Sequence, residues 1–186
     1  MDHQIKVWDI FIRSFHWVLV LLFSLEFLVD DDFFEIHSTI GYVILGLLLT
    51  RIIYGFVGSR YARFSNFIYS FNEIIDYLVS AFNFSAKRFV GHNPAGGAMV
   101  LLLIFALLLT SFTGLLALGF EERQGPLVPI LDYFPFWVFA MSEDLHEALA
   151  YMTLLLVIVH VTGVLIESIV HGENLIRSMI TGRKNG

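Results

Sequence analysis

Four long apolar runs divide the chain, at about 15–29, 37–57, 96–118 and 145–170. A helix needs roughly 20 mainly apolar residues to cross a bilayer, so each run predicts a membrane-spanning helix. The first is the shortest, and Asp30, Asp31 and Asp32 stop it. The longest connection, 58–95, joins the second run to the third. Within it Phe71, Ile74, Ile75, Leu78 and Phe82 recur at helical spacing, with Glu73 and Asp76 off that stripe. This pattern predicts an amphipathic helix over about 70–83 lying on the inner membrane surface. No tandem repeat or low-complexity segment interrupts the plan. The expected fold is all-α, one membrane domain over 1–186 built as a four-helix transmembrane bundle.

Composition supports a membrane protein. The 186 residues are 57% hydrophobic and 15% charged, with a mean hydropathy of +0.75, more apolar than a soluble domain. No small-residue cleavage site follows the first run, so that run is expected to stay as a helix rather than leave as a signal. There are no cysteines, which excludes disulfides, Cys-ligated iron–sulfur clusters and covalent attachment of a c-type haem. Histidine and carboxylate remain as the strong metal ligands.

The charges set a direction. Of the 11 Lys and Arg, only Arg123 lies on the side of the loops after spans one and three. The positive-inside rule places both termini in the cytoplasm, and an even number of spans agrees. The opposite side collects Asp30, Asp31, Asp32, Glu35, Glu121, Glu122, Asp132, Glu143 and Asp144. This acidic face has two readings: simple solubility of short loops, or a docking surface for a cationic partner such as a small soluble cytochrome.

Seven histidines carry the candidate chemistry. His3, His92 and His171 flank the spans. His16 lies in span one, His37 opens span two, and His146 and His160 lie in span four. Fourteen residues at about 100° each return His160 to within roughly 40° of His146, about 21 Å along the helix. One helix face thus presents imidazole at two depths. With alternating span directions, His37 matches the depth of His146 and His16 that of His160. Two such pairs suit two non-covalent b-type haems, each iron held by two axial histidines. An iron with both axial positions filled moves single electrons rather than activating oxygen. The alternative is a set of core histidines bonded to neighbours, but four at matched depths within lipid point to function.

Nearby residues fit haem as well as other roles. Gly41 follows His37 by four residues and Gly163 follows His160 by three; Gly46, Gly55 and Gly114 are similarly placed. Glycine leaves a flat space for a porphyrin, or equally permits close helix packing. Arg51 lies fourteen residues after His37, on the same face, so it is expected beside the inner haem. A buried arginine needs an anion, and haem propionates would supply it. Arg13, one turn before His16, is a second candidate. Both arginines can instead reach lipid phosphates.

The segments Ser14-Phe15-His16-Trp17, Glu35-Ile36-His37-Ser38, Leu145-His146-Glu147-Ala148 and Val159-His160 are joined by Gly91-His92-Asn93-Pro94 and Glu173-Asn174-Leu175. In their order and spacing they resemble the bacterial cytochrome b-561 and nickel–iron hydrogenase cytochrome b subunit family, over nearly the whole chain. The resemblance implies four helices, two haems b ligated by His16, His37, His146 and His160, and exchange of electrons with the quinone pool in the bacterial inner membrane. It also implies a quinone near the inner haem and the start of span three, at His92, Asn93, Gly96 and Gly97. Asn-Pro alternatively makes a turn and helix start. Glu167, seven residues after His160, is open to proton transfer or to a solvated pair with His171.

Three functions follow from these readings. The first is electron transfer between quinone and a periplasmic redox partner, either a cytochrome c or a hydrogenase-like subunit. The second is a stand-alone superoxide:quinone oxidoreductase, as in some relatives of this family. The acidic outer side argues against it, because superoxide is an anion. The third is a non-redox scaffold or transporter with structural histidines. A nucleic-acid partner is not expected, and a small bundle with 19 Phe is compatible with a homodimer.

Overall fold

The computed structural model describes residues 4–29 and 33–185. Asp30, Asp31, Asp32 and His3 lie outside the described residues. The elements run in the order β1 (Gln4–Lys6), α1 (Ile10–Glu26), α2 (Phe34–Val57), a 3-10 turn (Phe64–Asn66), α3 (Phe71–Phe82), α4 (Pro94–Glu121), a 3-10 turn (Val128–Tyr133), α5 (Phe136–Val170), α6 (Leu175–Thr181) and β2 (Arg183–Asn185). The chain is therefore predominantly helical. Three helices, α2, α4 and α5, have the length and apolar composition to cross a membrane.

The helix that carries His16 differs from the expected 15–29. It begins at Ile10 and ends at Glu26, 17 residues in all. Its start is fixed by Asp9, whose Oδ1 accepts a hydrogen bond from the Ile12 backbone N–H at 2.9 Å, an N-cap that the hydropathy profile does not register. The other boundaries extend the apolar runs outward: α4 starts at Pro94, which needs no N–H donor in the first turn, and α5 starts at Phe136, nine residues before the run read from the sequence. The amphipathic stripe forms α3, and Ser70 and Glu73 close a capping box at its start. Phe71, Ile75, Leu78 and Phe82 are exposed, whereas Tyr77 is buried.

The chain divides into two compact units, with boundaries inside α1, α2, α4 and α5. Unit 1 comprises Met1–Val18, Leu49–Leu102 and Val157–Gly186. Its core gathers Val7, Trp8, Ile12 and Ala62, with Phe11, Tyr54, Tyr61, Val90 and Met179 packed around them. The two chain ends pair as antiparallel strands, Ile5 opposite Lys184, which no sequence pattern announced. Gly182 makes this closure possible: its φ is +79°, and a Cβ would lie 2.5 Å from the Trp8 carbonyl. Its own carbonyl accepts from the N–H groups of Val7 and Trp8. Asp9 is the second tie, accepting from Tyr54 Oη at 3.0 Å and from Ser59 Oγ. Burial raises the Asp9 pKa, but hydrogen bonds from Ser59, Ile12 and Tyr54 outweigh it and hold the carboxyl below its ordinary value.

Unit 2 comprises Leu19–Leu48 and Leu103–Leu156. Its buried positions include Ile44, Leu48, Ala106, Leu116 and Leu131, together with Thr113, Ser142 and Thr153. The buried hydroxyls are satisfied within the helices: Thr113 donates to Leu109 O, and Thr153 to Leu149 O while meeting Thr110 Oγ1 at 3.2 Å. This is how polar side chains are accommodated where water is absent. Large apolar side chains such as Leu21, Phe105, Phe112 and Leu155 are exposed, the surface that lipid would cover.

Candidate functional site

The four span histidines fall two to a unit. In unit 2, His37 in the first turns of α2 and His146 in α5 face each other, with ring centroids 6.0 Å apart and planes at 87°. Two imidazoles on opposite sides of one metal, at about 2 Å per bond, have centroids roughly 6 Å apart. The separation therefore suits one metal between the rings. Each ring is also held at its Nδ1. His146 Nδ1 lies 2.9 Å from the Thr110 carbonyl, and His37 Nδ1 lies 2.5 Å from Glu26 Oε2. A ring engaged at Nδ1 by a carbonyl or carboxylate presents Nε2 as its metal-binding nitrogen. Gly114 lets the His146 ring lie against α4, since a Cβ there would approach its Cε1 to 2.9 Å.

In unit 1, His16 from α1 and His160 from α5 are within electrostatic range of each other. His16 packs edge-on against Trp17 at 5.0 Å, and its Nδ1 is buried without a hydrogen-bond partner. Arg51 is 4% exposed. Its Nη2 donates to the Ala62 carbonyl at 3.1 Å, and its guanidinium lies 5.1 Å from the Phe64 ring centroid. Its Nη1 is buried with no acceptor. Arg13 donates from Nη2 to the Ile180 carbonyl, while its Nε is buried and unpartnered. Two arginines with surplus buried donors, in the unit that holds His16 and His160, fit an anionic group. Haem propionates have that chemistry.

The other candidates are less uniform. A Cβ at Gly163 meets no protein atom within 4 Å, so the α5 surface one turn beyond His160 is open to a flat group. At Gly41 a Cβ would meet Glu26 Oε1 at an ordinary 3.8 Å. His92 is clasped between Trp8 and Phe67, at centroid distances of 4.7 and 4.6 Å. Burial, reinforced by the Arg51 and Lys184 charges, pulls its imidazole down to about 3, and its Nδ1 has no partner. Asn93 is the cap of α4: its Oδ1 accepts from the Gly96 N–H at 2.6 Å, and its Nδ2 donates to Tyr77 Oη at 2.9 Å. The amide keeps one N–H for another acceptor.

Sequence reasoning missed the residues that orient the rings. Glu26 had a signal, a carboxylate at the end of an apolar run, where charge is costly and usually paired. Thr110 had none, because it acts through a backbone carbonyl that every residue has. Among the described residues, no group of three or more His, Cys, Asp or Glu is set to hold a metal. Pairs are what the site offers, and a pair suffices for an iron whose other four ligands come from a porphyrin.

Apolar helices of membrane length, with histidines set two to a unit, define a class: integral membrane proteins suited to axial ligation of haem. Within that class, the chain belongs to the prokaryotic cytochrome b561 family, whose profile matches residues 7–182. It is similar to the probable Ni/Fe-hydrogenase 1 B-type cytochrome subunit of Escherichia coli (strain K12), at 30% identity over 168 residues, covering 81% of this chain and 69% of the relative. The protein of the same description in Escherichia coli O157:H7 matches equally. No solved structure gave a match. The chain is thus a transmembrane b-type cytochrome of electron transport, and haem and iron are implied by its family.

Proposed function

We propose that this cytochrome binds two haems b, one between His37 and His146 and one between His16 and His160. It carries electrons between the quinone pool and a periplasmic redox partner, a cytochrome c or a hydrogenase-like subunit. The observation that carries this reading is the His37–His146 pair, 6.0 Å apart with both Nδ1 atoms engaged. Bound haem b supplies a one-electron ferric/ferrous couple. The protein's part is to hold and tune it. Thr110 and Glu26 fix the orientation of the ligand rings, and the Glu26 carboxylate makes His37 a more electron-rich ligand. Arg51 and Arg13 offer their unpartnered N–H groups to propionates.

We place the protein in a bacterial inner membrane with both termini cytoplasmic, α1 as a fourth and short span, and the exposed stripe of α3 in the inner leaflet. By sequence, unit 1 holds ten of the eleven Lys and Arg, which supports its placement on the cytoplasmic side. Unit 2 holds one Arg and eleven of the seventeen Asp and Glu. That balance suits a cationic periplasmic partner and disfavours an anionic substrate such as superoxide. The relatives' description as a hydrogenase cytochrome subunit supports an electron-transfer role in a larger assembly. The test is a spectrum and haem assay of the purified protein. Two low-spin haems b per chain, reducible by a quinol, are expected; a colourless protein would sink the reading.

A further inference from the structure

By sequence Glu167 suits either a proton-transfer group or a solvated surface pair, and its surroundings in unit 1 distinguish the two. It lies seven residues after His160 on α5, two turns away and on nearly the same face. Its side chain is 17% exposed. Tyr77 from α3 donates to its Oε1 at 2.9 Å. Asn93, at the start of α4, donates in turn to Tyr77 Oη at 2.9 Å. On the other side, His171 Nε2 lies 3.2 Å from Glu167 Oε2. Lys184 of β2 is a further charge in range, and it also stands 3.9 Å from Glu173, which Arg88 contacts at 3.1 Å. A carboxylate meant only for solubility would not accept a tyrosine hydroxyl from α3 while standing beside the histidine that follows α5.

From this arrangement we propose that Glu167 is the proton-exchange group for a quinol or quinone, oriented by Tyr77 and connected to the cytoplasmic side by His171. The proposal rests on the quinone-linked reading above. Oxidation of one quinol breaks two O–H bonds. The two electrons go, one at a time, to the ferric b-type centres of the chain. Each proton forms an O–H bond on the Glu167 carboxylate, passes to His171 Nε2 and leaves to water. Quinone reduction runs the same steps backwards.

Tyr77 is a positioning residue. Because Asn93 donates to its oxygen, its own proton is aimed at Glu167. Burial first, and then the neighbouring carboxylate, push its pKa well above the ordinary phenol value, so it stays protonated. It therefore holds Oε1 and leaves Oε2 towards His171. Asn93, in this account, serves the site through Tyr77 as well as capping α4.

The experiment uses the purified holoprotein, with duroquinol as reductant, and follows haem reduction by stopped flow across a range of pH. Glu167→Gln keeps an oxygen for the Tyr77 hydroxyl but cannot take a proton. It is expected to lower the quinol-driven rate at least tenfold, within the usual 10²–10⁴-fold range for general acid–base groups or just below it. It should also flatten the pH profile, with haem content and dithionite reduction unchanged. His171→Gln, which leaves the Tyr77 contact intact, is expected to slow the reaction less and to shift the profile. A wild-type rate and profile in both variants would overturn the proposal, and so would loss of haem from Glu167→Gln, which would make the residue a structural strap. If the wild-type protein itself were not reduced by any quinol, the quinone-linked reading would fail first, a result distinct from inert variants of an active protein.

Discussion

In unit 2 the two rings of the histidine pair each meet an oxygen at Nδ1, from Thr110 and from Glu26. In unit 1 five buried nitrogens have no hydrogen-bond partner: Arg13 Nε, His16 Nδ1, Arg51 Nη1, His92 Nδ1 and, beside Glu167, His171 Nε2. Unit 2 is rich in carboxylates, and unit 1 in Lys and Arg. A buried donor left unpaired costs free energy comparable to a lost hydrogen bond, and more when it is charged. The surplus guanidinium N–H groups of Arg13 and Arg51 therefore suit an anionic ligand. On the two-haem reading proposed above, the sites would be prepared in different ways, by acceptors on the ligand rings in one unit and by arginines around the ligand in the other.

The comparison breaks most visibly if the ligand pairs are wrong. His146→Ala is expected to halve the haem content by removing the unit 2 haem alone, and His160→Ala to remove the other; haem assay of each purified variant checks the assignment. Next in size, Arg51→Gln should weaken retention of the unit 1 haem by about tenfold, in line with losses of outer-shell partners, without altering unit 2. Equal loss from both sites would end the contrast. Glu26→Gln should raise the potential of the unit 2 haem by about 60 mV, the one-electron equivalent of about 1.4 kcal/mol, and leave the other unmoved in a redox titration.

Acid provides a graded test. Burial, with the Arg51 and Lys184 charges, pulls the folded His92 imidazole down from 6.5 to about 3. Asp9 is held below 3.8 by bonds from Ser59, Ile12 and Tyr54 that overcome the effect of its burial. Burial likewise raises Glu173, but Arg88 and Lys184 overcome it and hold the group below 4.5. In each case the unfolded chain binds protons more readily, so stability is fully present above the unfolded pKa and falls with pH. Unit 1 should start to loosen as pH drops below 6.5 and weaken further below 4.5, with the His16–His160 haem lost first in spectra recorded during acid titration. The smallest effect is expected at Gly163. Alanine there gains up to about 1 kcal/mol of helix stability in the haem-free chain, and that gain should vanish or reverse in the holoprotein if a porphyrin lies against α5.

Much of this was legible without coordinates. Three of the four apolar runs became helices of membrane length, and the stripe at Phe71, Ile75, Leu78 and Phe82 became the exposed face of α3. His146 of α5 and His37 of α2, two of the histidines singled out in the sequence, lie with ring centroids 6.0 Å apart. Hydropathy and helical period are properties of neighbours along the chain, and the bilayer enforces both by excluding unsatisfied backbone. The helix containing the first apolar run starts earlier, at Ile10, because a cap at Asp9 is made by one side chain rather than by an average over many.

The sequence alone determined the class of the protein, the candidate ligands and the separation of charge along the chain, because each of these is written in local periodicity and composition. Only the tertiary structure decided that Glu26 meets His37, that Trp8 and Phe67 clasp His92, that the chain ends pair through β1 and β2, and that Tyr77 reaches Glu167. Those contacts join residues from 11 to 181 positions apart. They depend on where whole helices and loops come to rest, which no window of sequence contains.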